Sequence, residues 1–247
     1  MIENHRDEIA LPPICILAGG VGSRLGDRAG GRPKPIVEVA GRPFLLHQLD
    51  LLSRYGAAEV VLCVGYLGDQ IEEAIGSERY GIAIRYSYDE PGLNGTLGAV
   101  RRAARYLGDQ FLVLYGDTYL RLDYRAAVVT WQASGLPAFM SVLRNDNRWG
   151  PSNADFHDNR VVKYDKFRPL PGMRWIDYGL GGLTTEAMKF ANDSESDLAT
   201  LYSALAEHGL LYGFEVSERF YEIGTPSALE QTEKFLQGQI EGRSQDD

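Results

Sequence analysis

Residues 14–35 read ICILAGGVGSRLGDRAGGRPKP, and the physical chemistry of this stretch constrains the rest of the chain. It opens as a short apolar run, Ile14-Cys15-Ile16-Leu17, whose length and composition predict a buried strand. The run breaks into a loop holding Gly19, Gly20, Gly22, Gly26, Gly30 and Gly31. Glycines let backbone N–H groups approach a ligand closely and permit dihedrals that a Cβ forbids. Arg24 lies within the loop, and Lys34 closes it between Pro33 and Pro35. A glycine-rich turn behind a strand, with two fixed cations, is suited to cradle a polyphosphate: amides solvate the oxygens and the cations offset their charge. Two other phosphate loops fail on spacing. No Gly-Lys-Ser/Thr triplet occurs, and Gly20-x-Gly22 is followed by Gly26, one residue too late for G-x-G-x-x-G.

Outward from this loop, strand and helix patterns alternate. Pro43 opens an amphipathic helix, PFLLHQLDLLSRYG, stopped by Gly56, with His47 read as a packing or surface residue. Strands are expected at 60–64, 82–86 and 111–114, and helices at 67–75 (ended by Gly76) and 94–107. Strand–helix–strand units in this order imply a parallel sheet with right-handed crossovers, which binds ligands at the carboxyl ends of its strands. After Asp117 the rhythm changes. The pattern predicts a helix at 123–133, a strand at 138–143, and a hairpin of 153–156 and 160–164 around His157-Asp158-Asn159. A strand from Trp175, a helix at 197–208, a strand-like run at 214–223 and a last helix from Pro226 to Leu236 follow. The expected fold is α/β: a Rossmann-like, three-layer αβα arrangement around a mixed, mostly parallel central sheet. Residues 1–12 read as an extension and 13–236 as one domain with halves 13–118 and 119–236. The polar tail 237–247 is expected to fray.

At 247 residues the chain can bury one substantial core. Its net charge of −9 would repel a phosphate backbone, which argues against a nucleic-acid partner. A small anionic substrate is still compatible, because a local cluster of cations overrides a global deficit. Cys15 and Cys63 both sit in apolar runs and read as core filler in a reducing compartment. The opening MIENHRDEIA is polar and acid-rich, unlike a signal peptide, and no apolar run is long enough to span a bilayer. A cytoplasmic protein without a membrane partner is expected; a homo-oligomer is compatible with the composition.

Two further segments belong with the loop. Tyr115-Gly116-Asp117-Thr118 places a carboxylate just past a buried strand, where it can hold Mg²⁺. The segment Asp89 to Ala99 leaves a strand and enters a helix, so its first amides face the crevice.

Together these motifs resemble the sugar-1-phosphate nucleotidyltransferases, whose fold is of the GT-A-like kind. The first loop of that family reads L-A-G-G-x-G-[ST]-R-L before P-K-P, matched here by Leu17 to Leu25 and Pro33-Lys34-Pro35. The resemblance covers about Ile14 to Leu236, and within the family the short D-glycero-D-manno-heptose 1-phosphate guanylyltransferases look nearest. It implies Mg²⁺-dependent transfer of a nucleotidyl group from a nucleoside triphosphate to a sugar 1-phosphate, with pyrophosphate released. GTP and heptose 1-phosphate are the first expectation and uridylyl or cytidylyl transfer the second; a catalytically silent domain of the same fold is the alternative of another class.

Carried onto this sequence, the resemblance assigns Leu17, Ala18, Gly19, Gly20, Glu90, Asn94, Gly95 and Thr96 to the nucleotide. Asn94 stands where the family has Gly and Leu97 where a small residue is common. Arg24, Lys34, Asp117 and Lys166 carry the catalysis, Lys166 from a D-K pair in place of E-K. Gly179 and Lys166 face the sugar phosphate, and Asp117 with Glu222 holds Mg²⁺, Glu222 replacing the usual aspartate. Arg24 and Lys34 are expected outside the core, so that their loss leaves the free protein's stability almost unchanged.

Overall fold

The apolar run that opens the quoted stretch becomes an inner strand of a ten-stranded sheet. The computed structural model describes residues 10–20, 25, 30–90, 95–192 and 194–243. The first half contributes β1 (Ile14–Leu17), β2 (Glu38–Val39), β3 (Arg42–Pro43), α1 (Phe44–Arg54), β4 (Glu59–Val64), α2 (Gly68–Ile75), β5 (Glu78–Arg79), β6 (Ile82–Tyr88), α3 (Gly95–Ala103) and β7 (Gln110–Tyr115). The second half adds β8 (Thr118–Tyr119), α4 (Tyr124–Ser134), β9 (Ala138–Arg144), β10 (Ala154–His157), β11 (Arg160–Tyr164), β12 (Trp175–Thr184), α5 (Leu198–Glu207), β13 (Leu211–Val216), β14 (Tyr221–Glu222) and α6 (Pro226–Arg243).

The sheet order is β10-β11-β13-β9-β12-β7-β1-β4-β6-β5. Strands β7, β1, β4 and β6 run parallel, with Ile14 beside both Val60 and Leu112. The inner strands β7, β1 and β4 are near-continuous apolar runs, as burial on both faces demands, whereas β6 alternates buried and exposed residues. At β7 the direction reverses: β12 pairs with it antiparallel, Leu180 opposite Leu114, and joins the strands of the second half to those of the first. Beyond it β9 and β13 are parallel to each other. The sheet is therefore mixed, with its longest parallel run in the first half.

Alternating side chains create the layers. Ile14 and Ile16 face α1, α2 and α4, where Leu45, Leu49 and Leu52 of α1 form the apolar stripe. Cys15, Val61, Cys63 and Val113 face α3 and α5 on the other side. A smaller cluster of Leu25, Phe44, Tyr119, Ile223, Leu229 and Leu236 fixes α6 against the rest. Both cysteines are buried and free, as expected of core filler, with their Sγ atoms 3.4 Å apart. His47 is buried too: Nε2 bonds the Val39 carbonyl at 2.8 Å and Nδ1 accepts from Arg42 Nε at 3.2 Å. The hairpin turn at Asp158-Asn159 has both residues at positive φ, the geometry a two-residue loop requires.

Three expectations are corrected. The helix expected to reach Leu107 stops at Ala103 and tightens into a 3₁₀ turn at Ala104–Tyr106. The strand-like run 214–223 is two strands, because the polar Ser217-Glu218-Arg219 interrupts its apolar alternation. β13 stays beside β9, whereas β14 leaves to pair with β8. The polar tail does not fray at 237: α6 continues to Arg243, where Gln237, Gln239, Glu241 and Arg243 are good helix formers that extend the preceding turns despite Gly238 and Gly242. Among the described residues, no helix is long and apolar enough to cross a membrane.

Candidate active site

The carboxyl ends of β1, β4 and β7 open into a crevice of about 310 Å³, lined by Leu17, Ala18, Gly19 and Gly20 from the end of β1. Cys63 of β4, Asp89 after β6, Gly95, Thr96 and Ala99 of α3, and Tyr115, Gly116 and Asp117 from the end of β7 complete that wall, with Lys34 and Pro35. Glycines let the strand ends crowd together. A Cβ on Gly116 would stand 3.1 Å from the Leu17 carbonyl, and one on Gly65 would overlap the Asp89 carboxylate. That carboxylate is held by the buried Arg102.

Lys34 sits on a short 3₁₀ turn, Lys34–Ile36, that carries it inward. Its ammonium is buried and forms an ion pair with Asp117. This overturns the expectation that Lys34 lies outside the core. The Pro33-Lys34-Pro35 sequence, by fixing backbone torsions on either side, turns the lysine inward rather than into solvent. Asp117 is presented by a turn that Gln48 of α1 holds from beneath, donating from Nε2 to the Tyr115 carbonyl at 2.9 Å and to the Thr118 carbonyl at 2.5 Å. Glu222 lies opposite Thr118 on the neighbouring strand, and the Ile223 amide bonds the Asp117 carbonyl at 3.0 Å. The Glu222 side chain folds back so that Oε2 accepts the Gly224 amide at 2.7 Å. A Cβ on Gly224 would be 3.3 Å from Lys34 Nζ, so the ammonium is close to this turn as well as to Asp117.

The second half meets the crevice lining at Thr96, through Asp197. Lys166, just after β11, bonds both oxygens of Asp197, at 3.2 and 3.4 Å. Asp197 caps α5 and is tied to α3 through Thr96, whose Oγ1 accepts the Leu198 amide at 2.8 Å and donates to Asp197 at 3.4 Å. Asp165 makes a local turn, accepting the Phe167 and Arg168 amides at 2.9 and 2.8 Å. Gly179 has φ +106° in a bulge of β12. Tyr115 is half-buried, and its hydroxyl is held protonated well above the usual range by desolvation and by the charges of Asp177, Asp197 and Asp117.

The structure thus brings Leu17 to Gly20, Lys34, Gly95, Thr96 and Asp117 to one crevice, with Glu222 on the strand beside Asp117. Lys166 joins through Asp197. Glu90 is exposed at the end of β6. Arg24 and Asn94 lie outside the described residues. Sequence reasoning missed Gln48, Tyr115 and Asp197. For Asp197 its N-cap position was the available signal; Gln48 and Tyr115 carry none, being placed by packing across 67 residues of chain.

The donor set suits a magnesium ion. Among the described residues no group of three or more His, Cys, Asp or Glu side chains gathers. Magnesium, however, takes one or two carboxylates and fills its other positions with water and phosphate oxygens. Asp117, in the turn before β8, and Glu222, on the strand paired with β8, are two such carboxylates.

Residues 14–163 match the model of the MobA-like NTP transferase domain. The chain is 40% identical over 128 residues to N-acetylmuramate alpha-1-phosphate uridylyltransferase of Neisseria meningitidis, 51% of this chain and 54% of that protein, so it spans about half the length of that relative. To D-glycero-alpha-D-manno-heptose 1-phosphate guanylyltransferase of Campylobacter jejuni it is 28% identical over 216 residues, 85% of this chain and 94% of that one. The crystal structure of HddC from Yersinia pseudotuberculosis complexed with GMP-PN superposes with a TM-score of 0.76 at 25% identity, covering 92% of this chain and 100% of that one. With the crevice at the ends of β1 and β7 and these matches, the chain belongs to the MobA-like NTP transferase family, among relatives named as sugar-1-phosphate nucleotidyltransferases.

Proposed function

We propose that the protein transfers a nucleotidyl group from a nucleoside triphosphate to a sugar 1-phosphate, with GTP and a heptose 1-phosphate as the favoured pair. The observation that carries this reading is the Lys34–Asp117 pair at the mouth of a crevice walled by the glycine-rich end of β1. The phosphate oxygen of the sugar attacks the α-phosphorus, the bond from that phosphorus to the bridging oxygen breaks, and pyrophosphate leaves. Such chemistry needs positioning and charge stabilisation rather than a covalent intermediate.

In this reading the Gly19-Gly20 amides receive phosphate oxygens, joined by Arg24 on the β- and γ-phosphates. Lys34 moves from Asp117 to the oxygens around the α-phosphorus, and Lys166 holds the sugar's phosphate. Asp117 and Glu222 would hold Mg²⁺, whose chemistry there is to neutralise phosphate charge. Gly95 and Thr96 form the nucleotide side, while Gly179 leaves room on the sugar side.

The choice of guanine and heptose rests on the names of the Campylobacter and Yersinia relatives. Uridylyl transfer is the second reading, favoured by the Neisseria relative. Pyrophosphate release, measured with the four common ribonucleoside triphosphates against a panel of aldose 1-phosphates, tests both. Turnover is expected only with Mg²⁺, triphosphate and sugar phosphate together. Nucleotide binding without turnover across the panel would support a silent domain instead.

A further inference from the structure

Helix α1 stands behind both members of the Lys34–Asp117 pair, and one of its side chains takes no part in the chemistry above. At the start of α1 the Phe44 amide donates to the Val37 carbonyl at 2.9 Å, and the Val37 amide donates to the Lys34 carbonyl at 3.2 Å. The turn that carries Lys34 is thus fastened to the first turn of the helix. Gln48 follows Phe44 by four residues, so it lies on the same side of α1, one turn further along. From there its Nε2 reaches the Tyr115 and Thr118 carbonyls, which bracket Gly116 and Asp117.

The large sheet gives this turn little support. β7 ends at Tyr115, and the Gly116 amide, bonded to the Leu17 carbonyl at 2.9 Å, makes the last contact with β1. The Thr118 hydroxyl donates back to the Tyr115 carbonyl at 3.1 Å, and the Asp117 carbonyl accepts the Ile223 amide at 3.0 Å. Gln48 closes the remaining side. It is 3% exposed, and both hydrogens of its amide are used. Its Oε1 is buried with no hydrogen-bond partner among the described residues. Such an orphaned acceptor is costly. An apolar side chain of the same size would avoid that cost but would leave the two carbonyls without their donor, so the amide at this position is explained by the turn it holds.

We propose that Gln48 is a positioning residue: through the 115–118 turn it sets the Asp117 carboxylate where it pairs with Lys34 and would hold Mg²⁺. This rests on the proposed function and adds to it a residue that touches neither substrate nor metal. Hydrogen-bonding partners one step removed from a metal are worth about 10–100-fold in metal affinity or activity.

The test compares the full-length parent with Gln48→Met, which keeps the side chain's length and removes both donors, and with Asp117→Asn. Calorimetric titration with a non-hydrolysable triphosphate, in Mg²⁺ and in EDTA, reads the gain in affinity that the metal brings. Gln48→Met should cut that gain, and kcat in pyrophosphate release, by about tenfold or more. Its affinity in EDTA should equal or exceed the parent's, the direction expected of Asp117→Asn, because a loosened Asp117 releases Lys34. A side chain that merely supported the fold would weaken binding in Mg²⁺ and EDTA by the same factor, and that result overturns the proposal. It is also overturned if the Mg²⁺ gain of Gln48→Met stays within about threefold of the parent's, below the range for such partners, or if the parent itself binds the triphosphate equally in Mg²⁺ and EDTA. Should Gln48→Met not fold, Gln48→Asn, whose amide is too short to reach both carbonyls, takes its place; failure of both to fold would mark Gln48 as structural and end the proposal. The titrations need no sugar phosphate, so absence of turnover across the sugar panel would overturn the proposed function while the binding data still decide the role of Gln48.

Discussion

Replacing Lys34 by Met should destabilise the free protein as well as slow it. Methionine keeps most of the side chain's volume and removes the charge, leaving the Asp117 carboxylate without its cation. The lysine side chain is 10% exposed and that of Asp117 31%. Breaking a fully buried pair by deleting one partner costs about 3–5 kcal/mol, whereas exposed pairs contribute about 0–1 kcal/mol. With one partner buried and the other about a third exposed, about 2 kcal/mol is expected. For a chain of this size that corresponds to a fall of about 4–8 °C in melting temperature. Turnover should fall by a factor on the order of 10²–10³, as for other preorganised charges at a reacting centre. Thermal melts without nucleotide measure the first effect and pyrophosphate release the second. Adding Asp117→Asn to Lys34→Met should restore a good part of the melting temperature, because the orphaned charge is then gone. A Lys34→Met melt within 1 °C of the parent (a threshold of roughly 0.3 kcal/mol) would refute the idea that the pair contributes to the fold.

Other outcomes follow from individual contacts. Glu222→Gln should raise the Mg²⁺ concentration needed for half-maximal activity severalfold, and a titration overlaying that of the unmodified protein would leave Asp117 as the sole carboxylate on the metal. Gly95 has φ +75°, and a Cβ there would overlap the Ser196 carbonyl that accepts the Leu97 amide. Gly95→Ala should therefore cost about 1–3 kcal/mol in backbone strain before any overlap is counted, readable by denaturant titration. The pKa of His47 is lowered, chiefly by burial, so the unfolded chain binds the proton more readily than the folded one. Stability should accordingly fall as pH drops below about 6.5 and level off once the folded form also protonates, and His47→Gln should remove that part of the slope.

The elements and their order were legible because each apolar run is bounded by a physical stop. Gly56, Gly76, Gly135 and Gly209 end helices at positive φ, and Asp123 and Asp197 begin them by accepting amides. Site residues on the loop side were legible for the same reason, since the glycines that let Leu17 to Gly20 and Gly116 approach one another are themselves the motif. What the sequence concealed depends on pairing at long range. Two-residue strands such as β8 and β14 have no periodicity to detect, yet they set Glu222 beside Asp117. Lys34 looked like a solvent cation because its burial comes from α1 and the β8–β14 ladder, which no local window contains. The bulge of β12 was visible only as the glycine Gly179, and its register follows from pairing with β9 and β7.

The charge layout accounts for how a chain of net charge −9 can receive a polyanion. Lys34 in the crevice and Lys166, linked to it through Asp197 and Thr96, are both paired in the free protein, so a phosphate exchanges partners with carboxylates instead of meeting bare cations. For Lys166 and Asp197, 40% and 30% exposed, that exchange costs little, about 0–1 kcal/mol. For Lys34 the exchange is harder, because Asp117 would be left behind without a countercharge in a partly enclosed site. Asp117 therefore needs a replacement cation as Lys34 leaves, and without one its negative charge opposes the triphosphate. It follows that in EDTA the triphosphate should bind Asp117→Asn more tightly than the parent, by about threefold or more (~0.7 kcal/mol), although the variant is crippled in turnover. Calorimetric titration with a non-hydrolysable triphosphate measures this directly. Equal or weaker binding by Asp117→Asn in EDTA would show that Asp117 does not restrain Lys34, and that the pair seen in the free protein has no part in nucleotide entry.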